Sequence, residues 1–555
     1  MADPRSRWSS TSGSTAIEEY PPNIPPQEIP PPPVSVPAAV SDSNGAINPW
    51  VIALTVMLAT FMEVLDTSVA NVALPHIAGN LASTIDESTW VLTSYLVSNA
   101  IVLPLAGWFS TIFGRKRFYM ICVGVFTLAS FLCGMAPNLT MLILFRILQG
   151  LGGGALQPIS QAILVESFPK KKQGMAMAVY GMGVVLAPII GPTLGGWLTD
   201  SYSWRWIFLI NIPVGLLSLT LTAILIFDPP YLQRRNWKAL HIDYAGLGFI
   251  AVGLGFLEMF LDNGQRDDWF GSHLIVFSCA IAAICLVAAV FWELWTSDPV
   301  VNLRLLRNRS FGVATGTMFL LGFVLYGSTV LLPIFLQTLM GYNATLSGLV
   351  LSPGGVVVIL LMPLVGMLVS KVQARWLVMF GLLVSAIGLF HMAGFNLQVD
   401  FRTAMEARII QSAGMAFLFV PLNTMAFSSI AKEKANSATG LINLARNVGG
   451  SAGIATVTTL LARRSQYHQS VLVSHLTAGN ETCRRFLEQT THLLIGKGTS
   501  AADAAHQAQG VLYGMVQREA SMKAFIDGFW MLGVIFLAII PVMMILRPAN
   551  LKKHG

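Results

Sequence analysis

Beyond residue 49 the chain alternates long apolar stretches with short polar turns, and fourteen of those stretches reach the roughly 20 residues needed to cross a bilayer as a helix. Their approximate limits are 50–74, 89–113, 117–136, 139–168, 174–199, 206–227, 243–262, 272–295, 311–339, 346–370, 376–397, 404–430, 438–462 and 524–546. Within lipid, backbone groups must be satisfied inside the segment, so the pattern predicts an all-α polytopic membrane protein with 14 transmembrane helices. Composition points the same way, because 54% hydrophobic against 11% charged residues is too apolar for a water-soluble globule.

The polar turns differ in charge. Arg115, Lys116 and Arg117, then Lys170, Lys171 and Lys172, then Arg234, Arg235 and Lys238 fall in alternate turns. Arg304, Arg307, Arg309, Lys371, Arg375, Lys432 and Lys434 continue the series, Lys552 and Lys553 end it, and the first intervening loop has only Asp86 and Glu87. The net charge of +7 is therefore an orientation signal rather than a nucleic-acid footprint, and both termini are expected to be cytoplasmic. The first span starts too late for a cleavable signal peptide. Residues 1–47, with PPNIPPQEIPPPPVSVP, read as a disordered proline-rich tail. The five cysteines lack metal-ligand spacing, so neither a metal site nor a disulfide framework is expected.

Two halves of the chain echo each other. LPLAGWFSTIFGRKR from Leu103 matches MPLVGMLVSKVQARW from Met362, pairing Pro104 with Pro363 at an offset of 259. RILQGLGGGA from Arg146 matches RIIQSAGMAF from Arg408 at an offset of 262, so Gln149 pairs with Gln411. Leu74-Pro75 matches Leu332-Pro333, which places Val324 where the first half has Asp66. The expected domains are a six-helix bundle at 48–227, two inserted helices at 228–309, a second six-helix bundle at 310–547 and a short tail at 548–555. Parallel six-helix repeats with a substrate site between them are a secondary-transporter architecture.

LDTSVANVALP on the first helix, GWFSTIFGRKR between the second and third, RILQGLGGG on the fourth, and APIIGPTLGG followed by WRWIFLINIPVG resemble the major facilitator superfamily, specifically its fourteen-helix drug:proton antiporters. The resemblance implies the major facilitator fold and export of hydrophobic drugs across a bacterial inner membrane, driven by a proton gradient with no other cofactor. It also implies work with a periplasmic adaptor and an outer-membrane channel, and gating by the turn containing Gly107, Gly114 and Arg115. Thr111 stands where the family commonly has an acid.

An acid inside a membrane span is a functional signal by default, because a carboxylate facing lipid is expelled or protonated. Asp66 sits about 24 Å along the first helix, and Arg146 roughly 10 Å from the opposite end of the antiparallel fourth. Those depths permit an ion pair. Glu63 shares a helix face with Asp66. The expected roles are proton carrier for Asp66, tuning of that carboxyl for Arg146, and proton transfer or cation selection for Glu63. A permanent structural salt bridge is the alternative. Asn71, Gln149, Gln157, Asn443 and Arg446 are the polar candidates for the substrate cavity. Ala187, Gly191 and Gly195 recur every fourth residue on the fifth helix, where Pro188 and Pro192 loosen the backbone; the seam suits either motion or plain close packing.

His391 reads as a satisfied interior histidine, and Glu258, Glu293 and Asp527 as acids near span ends that snorkel or pair. Residues 463–523 are expected to form a helical hairpin outside the membrane, opened by a capping box at Ser500 and Asp503, either as an adaptor platform or as a solvated extension. No nucleophile–histidine pair, HExxH or phosphate loop supports an enzyme. Export of one endogenous metabolite, such as a siderophore or an organic acid, is the other transporter reading.

Overall fold

In the computed structural model the described residues are 48–228, 243–297, 299–428, 430, 434–477 and 480–545, without the side chains of a few helical positions, Thr111 and Pro192 among them. The proline-rich tail, the turn with Arg234, Arg235 and Lys238, and the C-terminal tail lie outside them. The first bundle comprises α1 (Pro49–Asn80), α2 (Ile85–Phe113), α3 (Arg115–Gly134), α4 (Leu139–Gly153), α5 (Leu156–Ser167), α6 (Lys170–Ser201), α7 (Trp206–Leu209) and α8 (Asn211–Leu225). Two inserted helices follow, α9 (Tyr244–Asn263) and α10 (His273–Trp295). The second bundle is α11 (Arg309–Thr338), α12 (Ala344–Leu368), α13 (Ala374–Ala393), α14 (Phe401–Ser428), α15 (Ala435–Ser474) and α17 (Ala501–Ile545), with α16 (Glu481–Gly496) between the last two.

Among the described residues, 12 helical segments are long and apolar enough to cross a membrane. The two remaining expected spans, 174–199 and 438–462, are helical within α6 and α15 but carry more small and polar residues. Polar residues in the turns fix where helices begin. Thr84 and Glu87 form a reciprocal capping box on α2, and the side chains of Asn138, Asn308 and Asn343 accept from the first-turn amides of α4, α11 and α12.

Two boundaries differ from the hydropathy reading. The fourth span is broken between α4 and α5, because RILQGLGGG buries glycines where neighbouring backbones close in. A Cβ at Gly150 would lie 2.5 Å from the Tyr95 carbonyl oxygen, and one at Gly152 2.6 Å from the Phe126 amide nitrogen. Apolar content also hid the full length of α15, which continues past residue 462 to Ser474, whereas α17 runs unbroken from Ala501 into the final span, as the helix expected to open at Ser500. There Ser500 and Asp503 do form the capping contacts at the start of α17, with Asp503 N donating to Ser500 Oγ at 3.3 Å.

The halves repeat each other's packing. On α6, a Cβ at Gly191 would strike Ser68 of α1, and one at Gly195 would meet Val69 at 2.8 Å. On α15, Cβ atoms at Gly449 and Gly453 would strike the carbonyl oxygens of Phe319 and Phe323 on α11. Gly449→Val should therefore force α11 and α15 apart at a cost of about 1–3 kcal/mol. Gly316→Ala, where added volume meets nothing within 4 Å, should not. Thermal unfolding of the two purified variants checks the contrast, and equal midpoints would contradict it.

The bundles meet across α6 with α12 and α2 with α15. Contact is tight toward the face carrying the Arg115 turn: a Cβ at Gly366 would lie 3.0 Å from the Gly174 carbonyl oxygen, and one at Gly440 3.4 Å from that of Pro104. Val358, Met362 and Val365 join the first bundle's core there. At the opposite face the first bundle's cluster contains only its own residues, and Asn71 is exposed.

Candidate functional site

Asp66, on α1, and Arg146, on α4, face each other in the first bundle. Arg146 Nη1 donates to Asp66 Oδ2 at 2.5 Å, and both side chains are wholly buried. A carboxylate in such a place needs its remaining lone pairs satisfied. Gln149 Nε2 donates to Oδ1 at 2.9 Å and Asn211 Nδ2, from the start of α8, at 2.8 Å. Ser130 on α3 accepts from both amides, at 3.1 and 2.9 Å, and itself donates to the Phe208 carbonyl. Arg146 Nε donates to the Val91 carbonyl at 2.9 Å, and the Tyr95 ring lies 4.2 Å from the guanidinium carbon. The result is a buried, nearly saturated charge site, about two helical turns in from the start of α4, on the open side of the bundle interface.

Glu63 belongs to a neighbouring network rather than to the ion pair. Its oxygens accept from Gln157 Nε2 at 2.7 Å, Asn99 Nδ2 at 3.2 Å and Tyr95 Oη at 3.3 Å. Tyr95 thus touches both acids' surroundings, with its ring on Arg146 and its hydroxyl on Glu63. From there the network crosses between bundles. Arg446 donates to Gln157 Oε1, and Asn443 Nδ2 donates to Gln161 Oε1 at 3.0 Å.

Of the polar residues expected to line a cavity, Gln149 is instead buried within the charge site, and Gln157, Asn443 and Arg446 form the buried bridge between bundles. Asn71 is exposed, donates only to the Thr67 carbonyl one turn back, and joins neither network. Pattern reading had missed Tyr95, Asn99, Ser130 and Asn211. The signal was present as polar residues inside apolar spans, with Tyr95 and Asn99 one turn apart on α2.

At the closed face, Gly114 joins α2 to α3 with φ of 82°, a conformation that favours glycine, while Gly107 is buried and its carbonyl accepts from Ser110. Arg115 finds its acid in Glu166 at the end of α5, which takes the part that Thr111 leaves open. Glu166→Gln should loosen this closed face, and the charge-swapped pair Arg115→Glu with Glu166→Arg should restore it. Cysteine accessibility at the Gly174–Gly366 contact reads the difference; unchanged labelling in Glu166→Gln would argue against a gating contact. Ala187 and Gly191 to Gly195 form the α1–α6 seam already described, with Pro188 exposed and the Pro192 side chain outside the described residues.

Two further acids and a histidine sit differently from their sequence reading, while Asp527 pairs as expected. Glu258 and Glu293 do not snorkel: they are 6% and 1% exposed, Glu258 where α9 packs against α2 and α15, Glu293 where α10 packs against α9 and the turn holding Val301. Glu258 accepts from Ser451 Oγ at 2.6 Å, and Glu293 from the Val301 amide at 3.2 Å. Asp527 pairs with Arg464 at 2.6 Å and His468 at 2.8 Å. His391 is exposed rather than interior, at the end of α13 beside Phe395. No cluster of metal-ligating side chains occurs among the described residues.

Two repeated six-helix bundles, a buried acid–arginine pair and a polar bridge between the bundles define a secondary transporter. The model of the Major Facilitator Superfamily matches residues 56–454, and the chain belongs to that superfamily, as a multi-pass membrane transporter of the drug-efflux type and not an enzyme. It is 35% identical over 506 residues to the multidrug export protein EmrB of Haemophilus influenzae, covering 90% of this chain and 96% of that one. It is 36% identical over 513 residues to the fatty acid resistance protein FarB of Neisseria gonorrhoeae, covering 91% and 97%. The proton:xylose symporter XylE, solved with 6-bromo-6-deoxy-D-glucose, shares the fold with a TM-score of 0.56 at 16% identity, over 89% of this chain and 95% of that one.

Proposed function

We propose that the protein is a proton-driven exporter of hydrophobic, drug-like compounds, working by alternating access in a bacterial inner membrane with both termini in the cytoplasm. The observation that carries this is the fully buried Asp66–Arg146 pair with its second donors Gln149 and Asn211. Protonating Asp66 removes the attraction to Arg146, and the buried bridge through Tyr95, Glu63, Gln157 and Arg446 connects that event to the second bundle. The closure at the Arg115 face and the exposure of Asn71 correspond to the state that takes up protons and releases drug on the outer side.

Names of relatives such as EmrB support drugs as cargo, and the proton gradient supplies the energy without a cofactor. Export through a periplasmic adaptor and an outer-membrane channel fits the α15–α16–α17 extension, which offers a platform beyond the membrane. Purified protein in proteoliposomes tests the reading: ethidium transport should saturate and should follow an imposed pH gradient. Flux that grows linearly with concentration, or ignores the gradient, would refute it.

A further inference from the structure

The inserted pair of helices lies across the seam between the bundles and is fixed to them unequally. α9 runs along α2. Ile250 and Leu254 share a buried cluster with Leu105, Ile101 packs against it, and a Cβ at Gly255 would rest 3.5 Å from both Ile101 and Val97. Farther out, Asp262 accepts from Thr93 Oγ1, and Arg266 Nη1 donates to Thr89 Oγ1 at 2.7 Å. From Leu105 to Thr89 this is about 24 Å of support along one helix. Val300, Val301 and Leu305, in the connection to α11, join the cluster at the closed face, where the bundles already touch.

On the open side the second bundle is held by side-chain tips. Ser451 Oγ of α15 donates to Glu258 Oε1 at 2.6 Å, and Trp269 Nε1, in the turn after α9, donates to Thr459 Oγ1 at 3.0 Å. An exposed Arg463–Asp268 pair at 3.9 Å lies beyond them. Thr93 and Ser451 each lie eleven residues, about 16 Å, outward of the place where Gly440 of α15 meets Pro104 of α2, so α9 bridges the two helices on their open side. Glu258 is a costly residue for a fixed joint. It is 6% exposed within an apolar span, and among the described residues it has one hydroxyl donor and no paired cation. An apolar side chain of similar volume would join two helices more cheaply. A single hydrogen bond, by contrast, parts without disturbing the packing around it, which interdigitated apolar side chains cannot do.

We propose that the inserted hairpin travels with the first bundle and is a releasable clasp on α15, in which Glu258 and Trp269 are positioning residues that hold the open side apart and let go each time it closes. The inference rests on the alternating-access reading above and deepens it by giving the two inserted helices a part in the cycle. As α2 and α15 pivot about the Pro104–Gly440 contact, a hairpin seated on α2 must slide along α15, and the bonds to Ser451 and Thr459 are the ones that break.

Two cysteine pairs in the full chain, with the five native cysteines replaced by serine, test it in proteoliposomes. A short methanethiosulfonate crosslinker joining Glu258→Cys to Ser451→Cys, between α9 and α15, should cut pH-driven ethidium transport at least about tenfold, and a reductant should restore it. The same reagent joining Asp262→Cys to Thr93→Cys, between α9 and α2, should leave transport within about twofold, because those helices move together. A second readout needs no crosslink. Asn71→Cys, on the open face, should react with an impermeant maleimide about threefold more slowly when Ser451→Ala is added, since the open arrangement loses a bond, whereas Glu258→Gln keeps an acceptor for Ser451 and should stay near the parent rate. The proposal is overturned if the α9–α15 crosslink leaves transport unchanged, if both crosslinks block it equally, or if only the α9–α2 crosslink blocks it, which would place the hairpin on the second bundle. Should the cysteine pairs not fold, the labelling decides alone, and an unchanged rate in Ser451→Ala overturns the proposal. Failure of the wild type to carry ethidium along a pH gradient would instead strike the transporter reading, with the labelling still judging the clasp.

Discussion

Asp66→Asn is expected to abolish proton-driven export while expression and membrane insertion remain normal. At an effective dielectric near 20, a close ion pair is worth about 4 kcal/mol, a factor of roughly 10³ between two conformations. Loss and recovery of that term once per cycle is enough to reverse which state dominates. Asparagine fits the same space and keeps an oxygen for Gln149 and Asn211, so folding should survive, but it holds no exchangeable charge. In proteoliposomes, pH-driven ethidium transport should drop to the level of empty vesicles. Ethidium exchange without a gradient should persist, because the pathway is intact. Undiminished pH-driven transport would remove Asp66 from the mechanism and leave the pair with a structural role only.

Arg146→Gln should produce the larger structural injury. Removing the cation strands a carboxylate that is 2% exposed, together with the Val91 carbonyl and the Tyr95 ring that the guanidinium covers. Breaking a buried pair from one side costs about 3–5 kcal/mol. The double variant Asp66→Asn with Arg146→Gln should recover much of that loss, since no buried charge is then left alone. Thermal unfolding in detergent reads the coupling. If the single and double variants melt together, the penalty does not arise from the stranded carboxylate.

Spans, repeat and the paired acid and arginine were legible because each leaves a one-dimensional trace: apolar run length, a constant offset, and charges at compatible depths. What stayed hidden depends on three-dimensional closure. Glu166 is the partner of Arg115 because α5 ends beside the α2–α3 turn, 51 residues away in the chain, whereas Thr111 at the family's acid position left the pairing open. Gln157 and Arg446 are 289 residues apart and meet only when the bundles close. Gly154 and its neighbours looked like uninterrupted span because hydropathy does not register the approach of α2 and α3. The capping box at Ser500 and Asp503 made the start of α17 legible, but nothing in the apolar pattern marked the extension of α15 to Ser474.

The continuity of α17 has a mechanical result. From Ala501 to the expected membrane boundary near residue 524, α17 extends about 35 Å beyond the bilayer as part of the same rod that packs within it. A tilt of roughly 10° in the membrane would sweep the far tip through about 6 Å, given the helical rise. In the alternating-access cycle proposed above, rocking of the second bundle would be magnified into a stroke well outside the lipid, within reach of the proposed adaptor.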